Sequence, residues 1–582
     1  MVLYEKQDGD AIAAFQEIWL VDFEYNGEPE VPKPVCMVAL ELKSRRTIRL
    51  WRTGLYAASR APFDVGPNSL FVAYFAPAEL SCFLELGWPL PARVIDLFAE
   101  HRVETNTFGA KVGNSLLDAM AIRGLGHIEV AEKERLRELI LSRQSWSESE
   151  QFQILGYCES DVLALAELLP RMMPGLDLDR ALLRGRYMAA VAEIVRNGIP
   201  VDHRLYRRAR DNWMAIKGEL IDEVDGFFGV YEGTTFKHDQ FARFLTKAGI
   251  TWPRLPSGAC ALDDETFSRM ADGNPAIRTL HELRRTVARM NGAGLQVSSD
   301  GRNRCGLSPF SSVTGRNQPS NSRMIYGPAR WMRQLIKPEA GTALAYVDWA
   351  AQEIGIAGGL SGDERLIQAY LTGDPYMAFA VEAGLAPHDA SPRSHPRIRS
   401  VCKAIVLGLG YGMGRDALAA SAGITIAHAS ELLEKHKRIY HRYWRFNSDS
   451  VDSAYLSHEV QSTFGWKARV GPGTKPTSLM NFPMQANGAE MMRIAAIAAV
   501  ELGIRVAAPV HDAFLIESPL EELDDRLAEM RRIMAQAGEA VCGLPIRTDS
   551  VVIKAPGRFV DERGADMWDR IIGRLERVKH DG

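Results

Sequence analysis

Residues 505–510 (RVAAPV) and 513–517 (AFLIE) are strand-like runs separated only by His511 and Asp512. A two-residue connection between such runs leaves a tight antiparallel hairpin as the local solution, with Asp512 at its tip. A second apolar run, residues 343–347 (ALAYV), ends on Asp348. One aspartate at a strand end is ordinarily a turn residue or a helix cap. Two of them, on strands that can share a sheet, can instead hold a pair of divalent cations. Between them lies a helix-like stretch in which Arg399, Lys403, Leu407 and Tyr411 recur every fourth residue and so share one face. Cations on that face suit the β- and γ-phosphate oxygens of a triphosphate, and the Tyr411 ring suits stacking on a base. Two carboxylates with a cationic helix between them are what a two-metal nucleotidyl transferase needs.

The chain is 582 residues long, 46% hydrophobic and 24% charged, which predicts several globular domains. No apolar run reaches bilayer length, and the N-terminus lacks the shape of a signal peptide. Seven scattered cysteines with no CxxC spacing favour a reducing compartment, so a cytoplasmic location is expected. The net charge of -4 does not advertise a nucleic-acid partner, but its distribution does. From Arg278 to Lys337 there are eleven basic residues against Glu282 and Asp300. A second basic cluster, Lys435 to Arg445, is interleaved with Tyr440, Tyr443 and Trp444. Both predict a phosphate-tracking groove.

The order and wording of the three segments resemble motifs A, B and C of the DNA polymerase I family, family A. Further matches are Thr314-Gly315-Arg316, Arg333-Gln334, Leu360-Ser361-Gly362-Asp363 and the Asn481-Phe482-Pro483-Met484-Gln485 segment. The resemblance implies that Asp348 and Asp512 bind two Mg²⁺ ions, with Mn²⁺ as a substitute. It implies that Arg399, Lys403, Leu407, Tyr411 and Glu353 meet the dNTP. Arg316, Asn481, Gln485 and His511 would meet primer–template DNA. Three positions depart from the family pattern. Trp349-Ala350-Ala351-Gln352 replaces the usual Tyr-Ser-Gln-Ile of motif A, and Leu407 replaces an aromatic residue. Ala513 stands where a helper acid usually follows the motif C aspartate, so Asp348 and Asp512 are expected to carry the metals without it.

Toward the N-terminus, Asp22-Phe23-Glu24 is a DxE at the end of a strand-like run, and Tyr157 with Asp161 forms a YxxxD. Both resemble a DEDDy-type 3′–5′ exonuclease, in which the acids hold two metals and Tyr157 orients the attacking water. Its middle motif is usually Asn-x3-Asp; here the place reads Phe75-x3-Glu79, with Asp96 as a second candidate. Glutamate can bind a metal but reaches one methylene further. The stretch before Asp22 is far too short for a 5′-nuclease domain, which with the compact length resembles a phage enzyme.

The resemblance implies an α/β, RNase H-like exonuclease domain over 1–175 and a right-hand α+β polymerase domain over 176–582. Within the latter, the thumb is expected near 180–295, the palm over 296–358 and 486–582, and the fingers over 359–485. Expected partners are primer–template DNA, dNTPs and replication accessory proteins, with no membrane. An RNA polymerase sharing the palm is disfavoured by Glu353, whose bulk would block a ribose 2′-hydroxyl. The same residues also admit a polymerase with an inactive exonuclease domain, or a non-catalytic DNA-binding scaffold.

Overall fold

A computed structural model describes residues 12–28, 31–107, 112–126, 130–272, 274–291, 295–327 and 329–577. The N-terminal sheet contains β1 (Glu17–Glu28), β2 (Val31–Glu41), β3 (Thr47–Trp51), β4 (Ser69–Ala73) and β5 (Val94–Asp96), in the order β3-β2-β1-β4-β5. The first three strands are antiparallel, and β1-β4 and β4-β5 are parallel. The near-continuous apolar run of β1 fits burial on both faces. Trp19, Val21 and Phe23 point into one core, and Ile18 and Leu20 into another. Helix α1 (Pro77–Leu86) packs on the first face, and α3 (Glu148–Met172) on the second. Helix α2 (Leu97–Thr105) follows β5 and is capped by the Asp96 side chain.

Helix α4 (Leu178–Asn197) ties the two ends of the chain together. It packs on α1 and β5 on one side, and on the distant 476–510 segment on the other. Arg184 makes a buried bidentate pair with Glu100 of α2, at 2.6 and 2.7 Å. The approach to β5 requires Gly185, because a Cβ there would lie 1.8 Å from the Val94 carbonyl oxygen. Gly185→Ala is therefore expected to cost about 3 kcal/mol of stability or more, as overpacking against a backbone that cannot yield. A denaturant titration checks this; a midpoint equal to wild type contradicts the packing.

One hydrophobic core consequently runs from the first sheet through α4 into the C-terminal sheet. Independent cores on either side of residue 175 are not what forms. A separate core gathers the helices over 203–291 around Trp213, Leu220, Phe241 and Phe267, against the other face of the C-terminal sheet. Residues 203–228 form two helices, His203–Asp211 and Trp213–Phe228, that meet at Asn212.

The C-terminal sheet has the order β7-β8-β6-β9, all antiparallel, from β6 (Thr342–Trp349), β7 (Arg505–Val510), β8 (Ala513–Pro519) and β9 (Thr548–Lys554). Helix α5 (Gln352–Ser361) follows β6 and packs on α7 (Pro476–Glu501), which itself packs on β7. The helix Leu523–Cys542 packs on β6, β8 and β9, and helix α6 (Pro396–Gly410) packs among its neighbouring helices. The border expected at 485/486 falls inside the single helix α7.

Candidate active sites

The hairpin forms as its spacing requires: β7 and β8 pair through Val510↔Ala513, and His511 takes φ +57° in the turn. The β8 register then sets Ala513 opposite Asp348 of β6. The Asp512 carbonyl accepts the Trp349 amide at 3.1 Å, locking tip to strand. Trp349 itself is buried and donates its indole N–H to Met534 O at 3.0 Å, so the unusual motif A residue anchors the strand end.

Asp348 and Asp512 thereby come together. Asp348 Oδ1 is buried and accepts no hydrogen bond. Burial, then the charge of Asp512 and a hydrogen bond with it, then the charge of Asp549 push the Asp348 carboxyl up to about 7. A buried acid beside like charges, with no cation among the causes of its shift, is chemically suited to a divalent ion. Nothing in the local sequence of Asp549 marks it as a neighbour of this pair.

Glu353 lies in the first turn of α5, after Ala351 turns the chain at φ +50°. It accepts the Tyr411 hydroxyl at 2.9 Å and a hydrogen bond from Gln485. Gln485 is buried, and its side-chain N–H is given to Glu353. Tyr411 is half exposed and caps α6, which ends at Gly410; Gly412, at φ +70°, is a post-helix turn and not a helical residue. Arg399 pairs with Asp374, and the charges of Arg399 and Lys403 lie 5.5 and 5.8 Å from the centre of the Tyr376 ring. Leu407 is half-buried against the core and lines a pocket with Glu353, His436, Tyr443 and Asn481. A cleft beside the hairpin is lined by Tyr187, Arg316, Asn317, Gln352, Arg493 and His511. Arg493, which no sequence motif singles out, donates to Gly315 O at 2.8 Å and to Glu490, positioning the segment that carries Arg316.

Most of the basic residues expected to track phosphates have other partners. Arg302 is buried between Glu339 and Glu517, and Arg304 binds Asp300 at 2.7 Å. Arg333 binds Asp561 at 2.8 Å, and Arg284 stacks on Phe267 at 4.0 Å. Arg278 and Arg323 remain exposed. In the second cluster, Tyr440 and Tyr443 are core residues, and Lys435, Lys437 and Arg442 pair with Glu431, Glu434 and Glu364.

At the N-terminal sheet, Asp22, Glu24 and Asp161 offer carboxylate oxygens that all lie within 4.8 Å of one another. The same face of β1 carries Asp22 and Glu24, and α3 brings Asp161 and Tyr157 to them. The Cys158 thiol fastens helix to strand by donating to Asp22 O at 3.3 Å. Tyr157 has its hydroxyl pKa raised by burial and by Glu24, Asp161 and Asp22. Glu79 is buried in the first turn of α1, and its Oε2 has no hydrogen-bond partner. Burial and the charges of Asp22, Asp96 and Asp161 hold its carboxyl well above the usual range. Asp96 instead accepts the amides of Phe75, Ala76 and Ala99, at 3.3, 2.7 and 3.1 Å. It is a structural cap that fixes the start of the Glu79 helix.

A family model described as DNA polymerase family A matches residues 258–554, just over half the chain. DNA polymerase I of Caldicellulosiruptor bescii is 28% identical over 248 residues, covering 39% of this chain and 29% of that protein. The DNA polymerase of Mycobacterium phage L5 is 22% identical over 418 residues, covering 68% and 67%. The chain thus spans about a third or less of the first relatives it matches. A solved structure, the POL domain of Pol1 from M. smegmatis in complex with DNA primer-template and dNTP, superposes with a TM-score of 0.69 at 18% identity. It covers 97% of this chain and 99% of that one, so the fold is shared almost end to end. The matched region takes in β6, the cationic helix and the 510–513 hairpin turn, and with them the chain belongs to DNA polymerase family A.

Proposed function

We propose that the chain is a DNA-dependent DNA polymerase that extends a primer 3′-hydroxyl with dNTPs and also removes nucleotides from the 3′ end. The observation that carries this reading is the meeting of Asp348 and Asp512 at the hairpin tip, with the helix bearing Arg399 and Lys403 tied to the adjoining Glu353 through the Tyr411 hydroxyl. On this reading β6 to β9 form the palm, 203–291 the thumb and 359–475 the fingers, with α7 running between fingers and palm. The strand order of the first sheet suits an RNase H-like exonuclease.

Asp348 and Asp512 would hold two divalent ions, Mg²⁺ by preference. Bound there, such ions sharpen the primer hydroxyl and neutralise the leaving pyrophosphate. The rest falls to the chain. Arg399 exchanges Asp374, and Lys403 its place near the Tyr376 ring, for the triphosphate oxygens. Tyr411 and Gln485 hold the Glu353 carboxylate rigidly where a ribose 2′-hydroxyl would have to sit. Arg316, steadied through Gly315 by Arg493, reads the minor-groove side of the primer–template, beside His511 and Asn481. At the other site Asp22, Glu24 and Asp161 would hold the ions, with Glu79 completing the acidic wall and Tyr157 orienting water. The expected setting is a bacterial or phage-infected cytoplasm, with accessory proteins as further partners.

The test is a primed template with Mg²⁺. Extension is expected when all four dNTPs are present, and shortening of the primer when they are withheld. Failure of either reaction removes the corresponding half of the proposal.

Glu353→Ala is expected to lower the preference for dNTPs over NTPs by about tenfold to a hundredfold, the scale of one lost steric or polar contact in a specificity pocket. The ratio of kcat/KM values for dGTP and GTP measures it, and an unchanged ratio would place the sugar gate elsewhere.

A further inference from the structure

We infer that Asp549 is a third metal-binding carboxylate of the polymerase site, standing on the opposite flank of Asp348 from the position where this chain has Ala513. The inference rests on the reading of Asp348 and Asp512 given above.

The sheet register carries it. Asp348 on β6 faces Ala513 on β8 and Asp549 on β9. Residues directly opposite on antiparallel strands put their side chains on the same face, with Cβ atoms about 4.5–5.5 Å apart. Ala513, Asp348 and Asp549 therefore form one cross-strand row, and Asp512 adjoins it from the hairpin tip. Ala513 is fully buried and has no polar atom, so that flank offers nothing to an ion. The other flank offers an exposed carboxylate. Among the described residues no lysine, arginine or histidine forms a salt bridge with Asp549. Asp348 Oδ1, between the two flanks, is shielded from water and accepts no hydrogen bond. A cation drawn to that oxygen finds nothing on β8. The exposed Asp549 side chain would have to turn inward from β9 to meet it, because among the described residues Asp348, Asp512 and Asp549 do not bring their oxygens within 4.8 Å of one another. The competing account is that Asp549 merely keeps edge strand β9 soluble, since Val551 and Val552 beside it are exposed.

The two accounts differ in metal affinity. The full chain is prepared with Asp22→Ala and Glu24→Ala, so that the second acidic cluster does not contribute. Asp549→Asn, Asp549→Glu and Asp348→Asn are made in that background. Each is assembled with a dideoxy-terminated primer–template and the complementary dNTP, and Mn²⁺ binding is followed by the loss of its free-ion magnetic resonance signal. Extension on an unblocked primer is measured against Mg²⁺ concentration in parallel. Asp549→Asn is expected to raise half-saturating Mn²⁺ and Mg²⁺ by about tenfold or more, with extension recovering at high Mg²⁺. Asp549→Glu should stay within about twofold of the parent. Half-saturation unchanged in Asp549→Asn, with Asp348→Asn inactive, overturns the role of Asp549 alone. Extension persisting in Asp348→Asn overturns the site itself.

Discussion

Asp348→Asn, or Asp512→Asn, abolishes primer extension and leaves DNA affinity within a few-fold of wild type. The substitution keeps shape and hydrogen-bonding reach and removes only the negative charge. That charge is what two divalent ions require, and their contribution to transition-state stabilisation is several kcal/mol. A loss of about 4 kcal/mol corresponds to about a thousandfold in rate. DNA affinity, by contrast, comes mainly from phosphate contacts spread over the surface. The fold should also survive, because Asp348 Oδ1 has no hydrogen bond to lose and its neighbours Asp512 and Asp549 repel it. Single-turnover extension and a parallel binding titration separate the two effects. Extension within tenfold of wild type in either variant contradicts the assignment.

The second large effect is at the N-terminal sheet. Asp22→Ala combined with Glu24→Ala is expected to reduce 3′ degradation by about a thousandfold or more while extension stays near wild type. Both side chains lie at mid-strand in β1, which runs on past the strand end expected near Tyr25, but each is partly exposed and neither belongs to the apolar cores on the two faces of the sheet. The core shared between the two sheets is therefore not breached, even though the sheets do not have independent cores. Glu79→Ala should lose degradation as well. Asp96→Ala is a different experiment, because it strips the cap from α2 and the amide partner from the start of α1. It should lower thermal stability together with nuclease activity. Degradation intact in Glu79→Ala would show that the middle acid of this site lies elsewhere.

Local pattern was enough for much of the site. The two-residue gap at His511-Asp512, the apolar run before Asp348 and the four-residue spacing from Arg399 each specify their own secondary structure, and the structure has the hairpin, strand and helix. Glu79 is one of two acids that the middle motif offers, and both are buried. What stayed hidden depends on partners distant in the chain. Arg302 reads as a phosphate-binding residue until Glu517 arrives across the sheet. Asp96 and Glu79 both read as candidate ligands until the amides of Phe75 and Ala76 claim Asp96. Gly185 gives no sign of the carbonyl pressed against it. Asp549 sits in an edge strand with no motif around it, and only the β6-β9 register brings it beside Asp348. Tyr411 shows the limit of spacing itself: the every-fourth-residue pattern runs on past Gly410, where the helix stops.

Template-directed polymerisation is tested by single-nucleotide addition with the wild-type chain. A primer–template with one defined next base is mixed with Mg²⁺ and each of the four dNTPs separately, and the product is resolved at single-nucleotide length. One added nucleotide is expected, rapid only for the dNTP complementary to the template base, and changing identity when that base is changed. No addition with any dNTP, or addition indifferent to the template base, contradicts template-directed polymerisation.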